Sequence, residues 1–419
     1  MHDTTTVIGQ NQYSGTTSGH FRFLAVGFHL LAAFWVLSAF FPSEGLTLEN
    51  VTVSALLLLS VLCLALQVLL EGRESREEGR FDRLSLFLIL LLLAWGLVTI
   101  FRALPGAGMS RLLTLLANPY IGGVVWLLPG AVYIGRRPGC IDALMPVFRA
   151  HTIIGIVLVI WSMVEFVFLR MPLGAITSQV GFALLYPAPF VLLTGLGGRF
   201  ERIFYFSCLS LALVVQCLLF VHRSLIASIL GVLILSAALG RVRDVRRLWS
   251  RIIGLSILFF IFILFGLDYL LPRLQSAWFV DTRTFLWLEM RRDFGPVDWI
   301  IGRGALGTYY SPYFSMTSIM GITGAWMDRP VNEIGYLHIV LKAGLIGAVL
   351  YLFIYLRAVW RSLFAGRTRF ELGVGLLLSM HLLEMTVGGA ASFSLSRVLL
   401  WLMVGVVLSK ASRRTLINE

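Results

Sequence analysis

The chain alternates between long apolar runs and short polar, arginine-bearing connections, with one polar stretch far longer than the others. A bilayer core takes about 20 residues of α-helix, so each run of about 17 to 25 apolar residues is a candidate span. Twelve such runs lie near 21–42, 51–70, 84–102, 119–135, 152–169, 177–196, 203–221, 224–240, 252–271, 334–356, 370–388 and 393–409. The fold class expected is therefore an all-α integral membrane protein of about 12 transmembrane helices. Its parts would be a tail at 1–20, spans one to nine over 21–271, a loop at 272–333, spans ten to twelve over 334–409 and a tail at 410–419.

Arginine and lysine collect on one side of this arrangement. EGRESREEGRFDR (71–83), GRRPGCIDALMPVFR (135–149), GGRFER (197–202), RVRDVRRLWSR (241–251), RAVWRSLFAGRTR (357–369) and KASRR (410–414) are alternate connections. The others are FPSEGLTLEN, the segment around Arg102 to Asn118, RMPLGAITS, the turn at His222 and Arg223, the long loop and GGAAS. Both termini are thus expected in the cytoplasm and the long loop outside. The apolar run after the polar first 20 residues is a full span without a small-residue cleavage site, which predicts a retained helix rather than a signal peptide.

Composition narrows the class further. The chain has 419 residues, 58% hydrophobic and 13% charged, with a mean hydropathy of +0.87, which excludes a soluble domain. A net charge of +12 would suit nucleic acid, but the arginines sit in short clusters between apolar runs, so a nucleic-acid partner is not expected. Cys63, Cys140, Cys208 and Cys217 form neither a disulfide framework nor a zinc spacing, and no metal or cofactor is expected.

Candidate chemistry concentrates in the long loop and at the span ends beneath it, because loops this long are uncommon and tend to be functional. Arg223 opens a small-residue span. The stretch DTRTFLWLEMRRDFG (281–295) predicts a helix with Asp281 or Thr282 as N-cap and a Gly-Pro stop, placing Arg283 and Trp287 on one face. Aromatics such as Trp287 can lie on sugar rings or anchor the loop at the interface. IIGRGALGTYY (301–310) contains G-x-G-x-x-G at Gly302, Gly304 and Gly307, but no strand-turn-helix context for a dinucleotide surrounds it, so a tight turn is expected.

DRPVNEIGYLHIVLKAGLIG (328–347) brings Arg329, Glu333, Tyr336 and His338 to the outer mouth of span ten. On a continuous helix Glu333, Tyr336, Leu337 and Gly344 would share a stripe, and Glu333 would serve as salt-bridge partner or general base. Glu165, Arg170, His381, Glu384 and Arg397 add ionisable groups within or at the ends of other spans, pointing to a polar cavity opening outward.

An arginine opening a small-residue span, an R-x-x-x-W helix, a G-x-G turn and then x-x-Y-L-(x6)-G-L-I-G resembles the O-antigen polymerase and O-antigen ligase superfamily, over about residues 205–350. The resemblance implies a glycosyltransferase at the periplasmic face of the bacterial inner membrane. Such an enzyme takes its glycan from an undecaprenyl-diphosphate-linked oligosaccharide and uses no nucleotide sugar. It implies Arg223, Arg283 and Glu333 as catalytic residues, the two arginines holding the diphosphate. Arg170, Trp287, Arg303, Arg329, Tyr336, His338 and Arg397 would be substrate-binding. Glu333 stands where the ligase branch commonly has histidine, which favours the polymerase branch. Membrane lipid, a chain-length regulator and a flippase are the partners this implies. A ligase moving finished glycan to lipid A core or protein is the alternative. A transporter or flippase with a proton path through Glu165, His381 and Glu384 is the reading from another class.

Overall fold

A computed structural model describes residues 20–40, 48–74, 81–105, 108–137, 139–167, 173–217, 223–239, 282–312, 328–366, 368–389 and 391–409. Nearly all of these are helical. In chain order the helices are α1 Arg22–Phe40, α2 Leu48–Glu74, α3 Arg83–Phe101, α4 Met109–Ala117, α5 Val124–Leu127 and α6 Val132–Gly135, the last two joined by a 3-10 turn at Leu128–Ala131. There follow α7 Gly139–Val167, α8 Leu173–Leu184, α9 Pro187–Thr194, α10 Arg199–Val215 and α11 Arg223–Leu239. The long polar segment contributes α12 Thr282–Asp293, α13 Pro296–Ile301 and two short antiparallel strands, β1 Tyr309–Tyr310 and β2 Asp328–Arg329. The chain closes with α14 Gly335–Phe364, α15 Arg369–Val387 and α16 Leu395–Leu408.

Several of these helices are long and apolar enough to cross a membrane, which makes the protein a helical, membrane-embedded one. α3 illustrates why they form: Asp82 caps the first turn by accepting from the Ser85 N–H at 2.9 Å, and an unbroken leucine-rich run follows to Phe101. Elsewhere the expected spans are altered. The run 119–135 opens on Pro119 and has Pro129 within it, and folds as α5, the 3-10 turn and α6 rather than one helix. The run 177–196 remains long and apolar enough to cross from Thr177 to Thr194 but is interrupted at Leu185-Tyr186, where Pro187 starts α9. α7 begins at Gly139 and so takes in most of the expected connection 135–149, and the connection 102–118 contains α4. The run 252–271 lies outside the described residues.

Close packing of the apolar helices depends on small residues, because nothing but contact draws helices together in lipid. α7 and α8 meet where a Cβ on Gly155 would lie 2.8 Å from the Gly181 carbonyl oxygen. α16 is buried along nearly its whole length and fits against α6, with Gly135 under the Leu402 carbonyl and Gly405 under that of Val132.

Polar contacts gather at the two ends of the bundle. At one end Asp82 accepts from Arg357 at 2.9 Å and Arg361 at 2.6 Å, and Arg361 also donates to the Leu408 carbonyl at 3.1 Å, tying α3, α14 and α16. Nearby Glu71 is buried with His20 at 2.7 Å and Arg137 at 2.6 Å, and Arg149 pairs with Glu201. A cavity of about 460 Å³ lined by Asp142, Arg149, Gly197 and Glu201 belongs to this end. Residues 282–312 and 328–334 sit at the other.

Candidate functional site

The centre of the loop end is a junction between the glycine turn and a break in α14. Gly344 has φ 68° and ψ −175°, which no helix accommodates, so α14 consists of two helical pieces, 335–343 and 345–364. Gly302 has nearly the same conformation, φ 71° and ψ −173°. Both lie in a region essentially reserved for glycine. The break frees carbonyls that a continuous helix would use internally. Those of Leu341 and Lys342 accept the Arg303 and Gly304 N–H groups at 2.8 and 2.9 Å. That of Ala343 accepts the Trp95 indole N–H at 2.8 Å. Ala305 N–H donates to the Thr99 carbonyl at 3.0 Å, and Arg102 donates to the Ile301 and Gly302 carbonyls at 2.5 and 2.7 Å. The fully buried Lys342 ammonium donates to the Gly307 carbonyl at 2.7 Å. Arg102 was expected in a connecting segment, and neither it nor Lys342 was singled out; the only sequence signal was a lysine inside an apolar run.

Above the junction, α12, α13 and the strand pair form a small folded cap. The expected helix over 281–295 is present as α12, and Gly295-Pro296 also starts α13, with Gly295 as N-cap and its N–H donating to the Asp298 carboxylate at 3.2 Å. Arg303 donates to the Asp293 carboxylate and carbonyl, to Asp298 at 2.9 Å and to the Thr308 carbonyl at 2.8 Å, with its guanidinium 4.5 Å over the Phe294 ring. These contacts use the fork of donors within the loop itself, so Arg303, expected to hold substrate, ties the cap together here. Beneath it Ser311 donates to the buried Glu289 at 2.6 Å. Tyr309 pairs in register with Arg329, and burial pushes its hydroxyl up to about 12. It stays neutral at ordinary pH.

Glu333 precedes α14, whose N-cap is Ile334, so the stripe expected with Tyr336 and Gly344 does not form. Its carboxylate is half-exposed and accepts from Arg329 at 3.2 Å. Tyr336 donates to the Leu382 carbonyl at 2.9 Å. His338 is fully buried, its Nδ1 accepting the Asn332 N–H at 3.2 Å and its Nε2 lying 3.3 Å from the Tyr120 carbonyl. With Nδ1 as acceptor, Nε2 carries the proton and donates, so both nitrogens of His338 are engaged within the protein.

Arg397 is buried in the first turn of α16. Its guanidinium reaches His381, the Gly389 carbonyl at 3.2 Å and Glu384 at 3.5 Å, and His381 meets the Tyr351 hydroxyl at 2.9 Å. Glu165, which was grouped with these residues as one polar cavity, instead accepts from Trp161 and Thr177, each at 2.8 Å. Among the described contacts, none joins it to His381 or Glu384.

Arg223 and Arg283 occupy the first turns of α11 and α12; their side chains, like Arg170 as a whole, lie outside the described residues. Trp287 is exposed, its ring centroid 5.4 Å from that of Trp299 and the two rings tilted by 57°. Among the described residues no cluster of three or more metal-ligating side chains occurs. Comparison with known proteins finds no matching family model, curated protein or solved structure.

Proposed function

We propose that this protein is a membrane glycosyltransferase that polymerises undecaprenyl-diphosphate-linked oligosaccharide units, with twelve spans in the bacterial inner membrane, both termini cytoplasmic and the cap of α12 and α13 on the periplasmic face. The observation that carries this reading is the junction of Gly302 and Gly304 with the break at Gly344. Two elements of the motif series that suggested the family, some 40 residues apart in sequence, meet as one backbone structure between a polar cap and apolar helices. The meeting of basic connections around Asp82, Glu71 and Glu201, away from that cap, supports the orientation.

In this reaction an acceptor sugar hydroxyl attacks the anomeric carbon of the carrier-linked glycan. The bond from that carbon to the diphosphate oxygen breaks, and undecaprenyl diphosphate leaves. Arg223 and Arg283 bind the diphosphate and oppose its developing charge, since guanidinium stays protonated and pairs with phosphate oxygens in a bidentate way. Glu333 receives the hydroxyl proton, which requires its contact with Arg329 to open.

The test is a gel ladder of surface glycan from a deletion strain carrying the wild type, Arg223→Ala, Arg283→Ala or Glu333→Gln at matched expression. Collapse to a single repeat unit on its final anchor supports polymerisation. Unchanged ladders in both arginine variants refute the diphosphate assignment, and an intact ladder stranded on the carrier means ligation. A transporter is the second reading, favoured by the buried Arg397, His381 and Glu384 network inside the apolar helices. It predicts complete absence of outward-facing glycan in the deletion strain.

A further inference from the structure

The cap exposes apolar side chains that its own folding leaves uncovered. On α13, Asp298 turns to Arg303 while Val297 and Ile300, three residues apart and so on one face, are 64% and 53% exposed. Outside a membrane, valine and isoleucine in a six-residue helix gain nothing from that exposure.

The position of α13 says what covers them. Arg102, immediately after the last residue of the apolar helix α3, holds the Ile301 and Gly302 carbonyls, so α13 ends level with the end of a membrane-length helix. The Ile300 carbonyl lies against Gly344, where a Cβ would be 2.2 Å away, next to Leu345 at 47% exposure on the apolar half of α14. Phe101, at 61%, is the neighbour on the α3 side. Exposed apolar residues of α3 and α14, Phe101 and Leu345, thus flank the two points at which α13 is tied to those membrane-length helices. Trp299, between Val297 and Ile300, packs against the exposed Trp287, a pair suited to the headgroup layer, where indole rings concentrate.

We infer that α13 and the Trp287–Trp299 pair are seated in the bilayer interface, with Val297 and Ile300 in lipid, so the cap lies on the membrane rather than standing in water. The occupant of this face is bilayer lipid, recognised by apolar contact and aromatic anchoring at the level of the headgroups. The inference depends on the apolar helices crossing a membrane and not on any glycan chemistry.

The full-length protein, with Cys63, Cys140, Cys208 and Cys217 replaced by serine or alanine, carries Val297→Cys, Ile300→Cys or the control Arg292→Cys, an exposed position of α12 turned away from Trp287. Each is labelled with an environment-sensitive fluorophore in nanodiscs of phosphatidylethanolamine and phosphatidylglycerol. Quenching by lipid spin-labelled near the headgroup is expected to be at least threefold stronger at 297 and 300 than at 292, with aqueous iodide showing the reverse order. Equal lipid quenching at all three sites overturns the inference. So does protection of 297 from both quenchers, which would place another part of this chain, a second copy or a protein partner on the face. Should Ile300→Cys fail to fold beside Gly344, Val297 alone decides, since its exposed side chain contributes little to packing.

Discussion

Gly344→Ala should separate the cap from the bundle. At φ 68° and ψ −175° an alanine occupies a region that costs about 1–3 kcal/mol. Its Cβ would also stand 2.2 Å from the Ile300 carbonyl oxygen and 2.4 Å from the carbonyl carbon, both backbone atoms with no rotamer to relieve them. Relief requires α14 and the glycine turn to move apart. That breaks the bonds from Arg303 and Gly304 N–H to Leu341 and Lys342, at a net cost of about 1 kcal/mol each. The sum is about 3–5 kcal/mol, a large share of the about 5–15 kcal/mol by which proteins are typically stable. The assay is thermal unfolding in detergent alongside limited proteolysis mapped by mass spectrometry. The expected result is a lowered transition and new cleavage between residues 293 and 312. Gly108→Ala, at a site with nothing within 4 Å of the added methyl and an ordinary φ of −70°, should behave as wild type. Because Gly302 forms the other side of the same junction, Gly302→Ala combined with Gly344→Ala should cost less than the two single changes added. Wild-type melting and proteolysis in Gly344→Ala would refute the junction.

Asp82→Asn should loosen the opposite end of the bundle. Partial burial opposes ionisation of Asp82, yet the Ser85 N–H and hydroxyl, with Arg361 and Arg357, hold its carboxyl down to about 2, below its ordinary 3.8. Its contribution, discounted for solvent screening to about 1 kcal/mol, is therefore complete above pH 3.8 and lost as pH falls through 2. Melting curves across that window should fall more steeply for wild type than for Asp82→Asn, and parallel curves would remove Asp82 from the account. Arg303→Lys should make the cap protease-sensitive while leaving α3 and α14 protected, because a single ammonium cannot reproduce contacts to Asp293, Asp298 and Thr308 together; unchanged digestion would contradict it. Arg397→Ala leaves Glu384 and His381 without their cation, and a loss of about 3 kcal/mol in detergent unfolding is expected. Arg397→Lys should recover part of it.

The apolar runs by themselves determined that the chain is helical and belongs in a membrane, because hydrophobicity over about 20 residues is a local quantity and lipid leaves the backbone no other choice. They also located α12 through its polar cap and following Gly-Pro, and singled out the glycine turn as a backbone feature. Local pattern could not show that Pro129 and Pro187 divide apparently continuous runs, since hydropathy averages over a breaker. For two candidate residues the fold supplied partners that spacing alone did not name. Arg303 is surrounded by Asp293 and Asp298 from its own loop, and the Nε2–H of His338 donates to the carbonyl of Tyr120, 218 residues away. Glu333 was placed on a helix that in fact begins two residues later. The break at Gly344 was invisible because G-L-I-G is equally compatible with a straight span. It exists only because the turn at 302–304 supplies N–H groups to the carbonyls it frees, and donors some 40 residues distant are decided by tertiary structure alone.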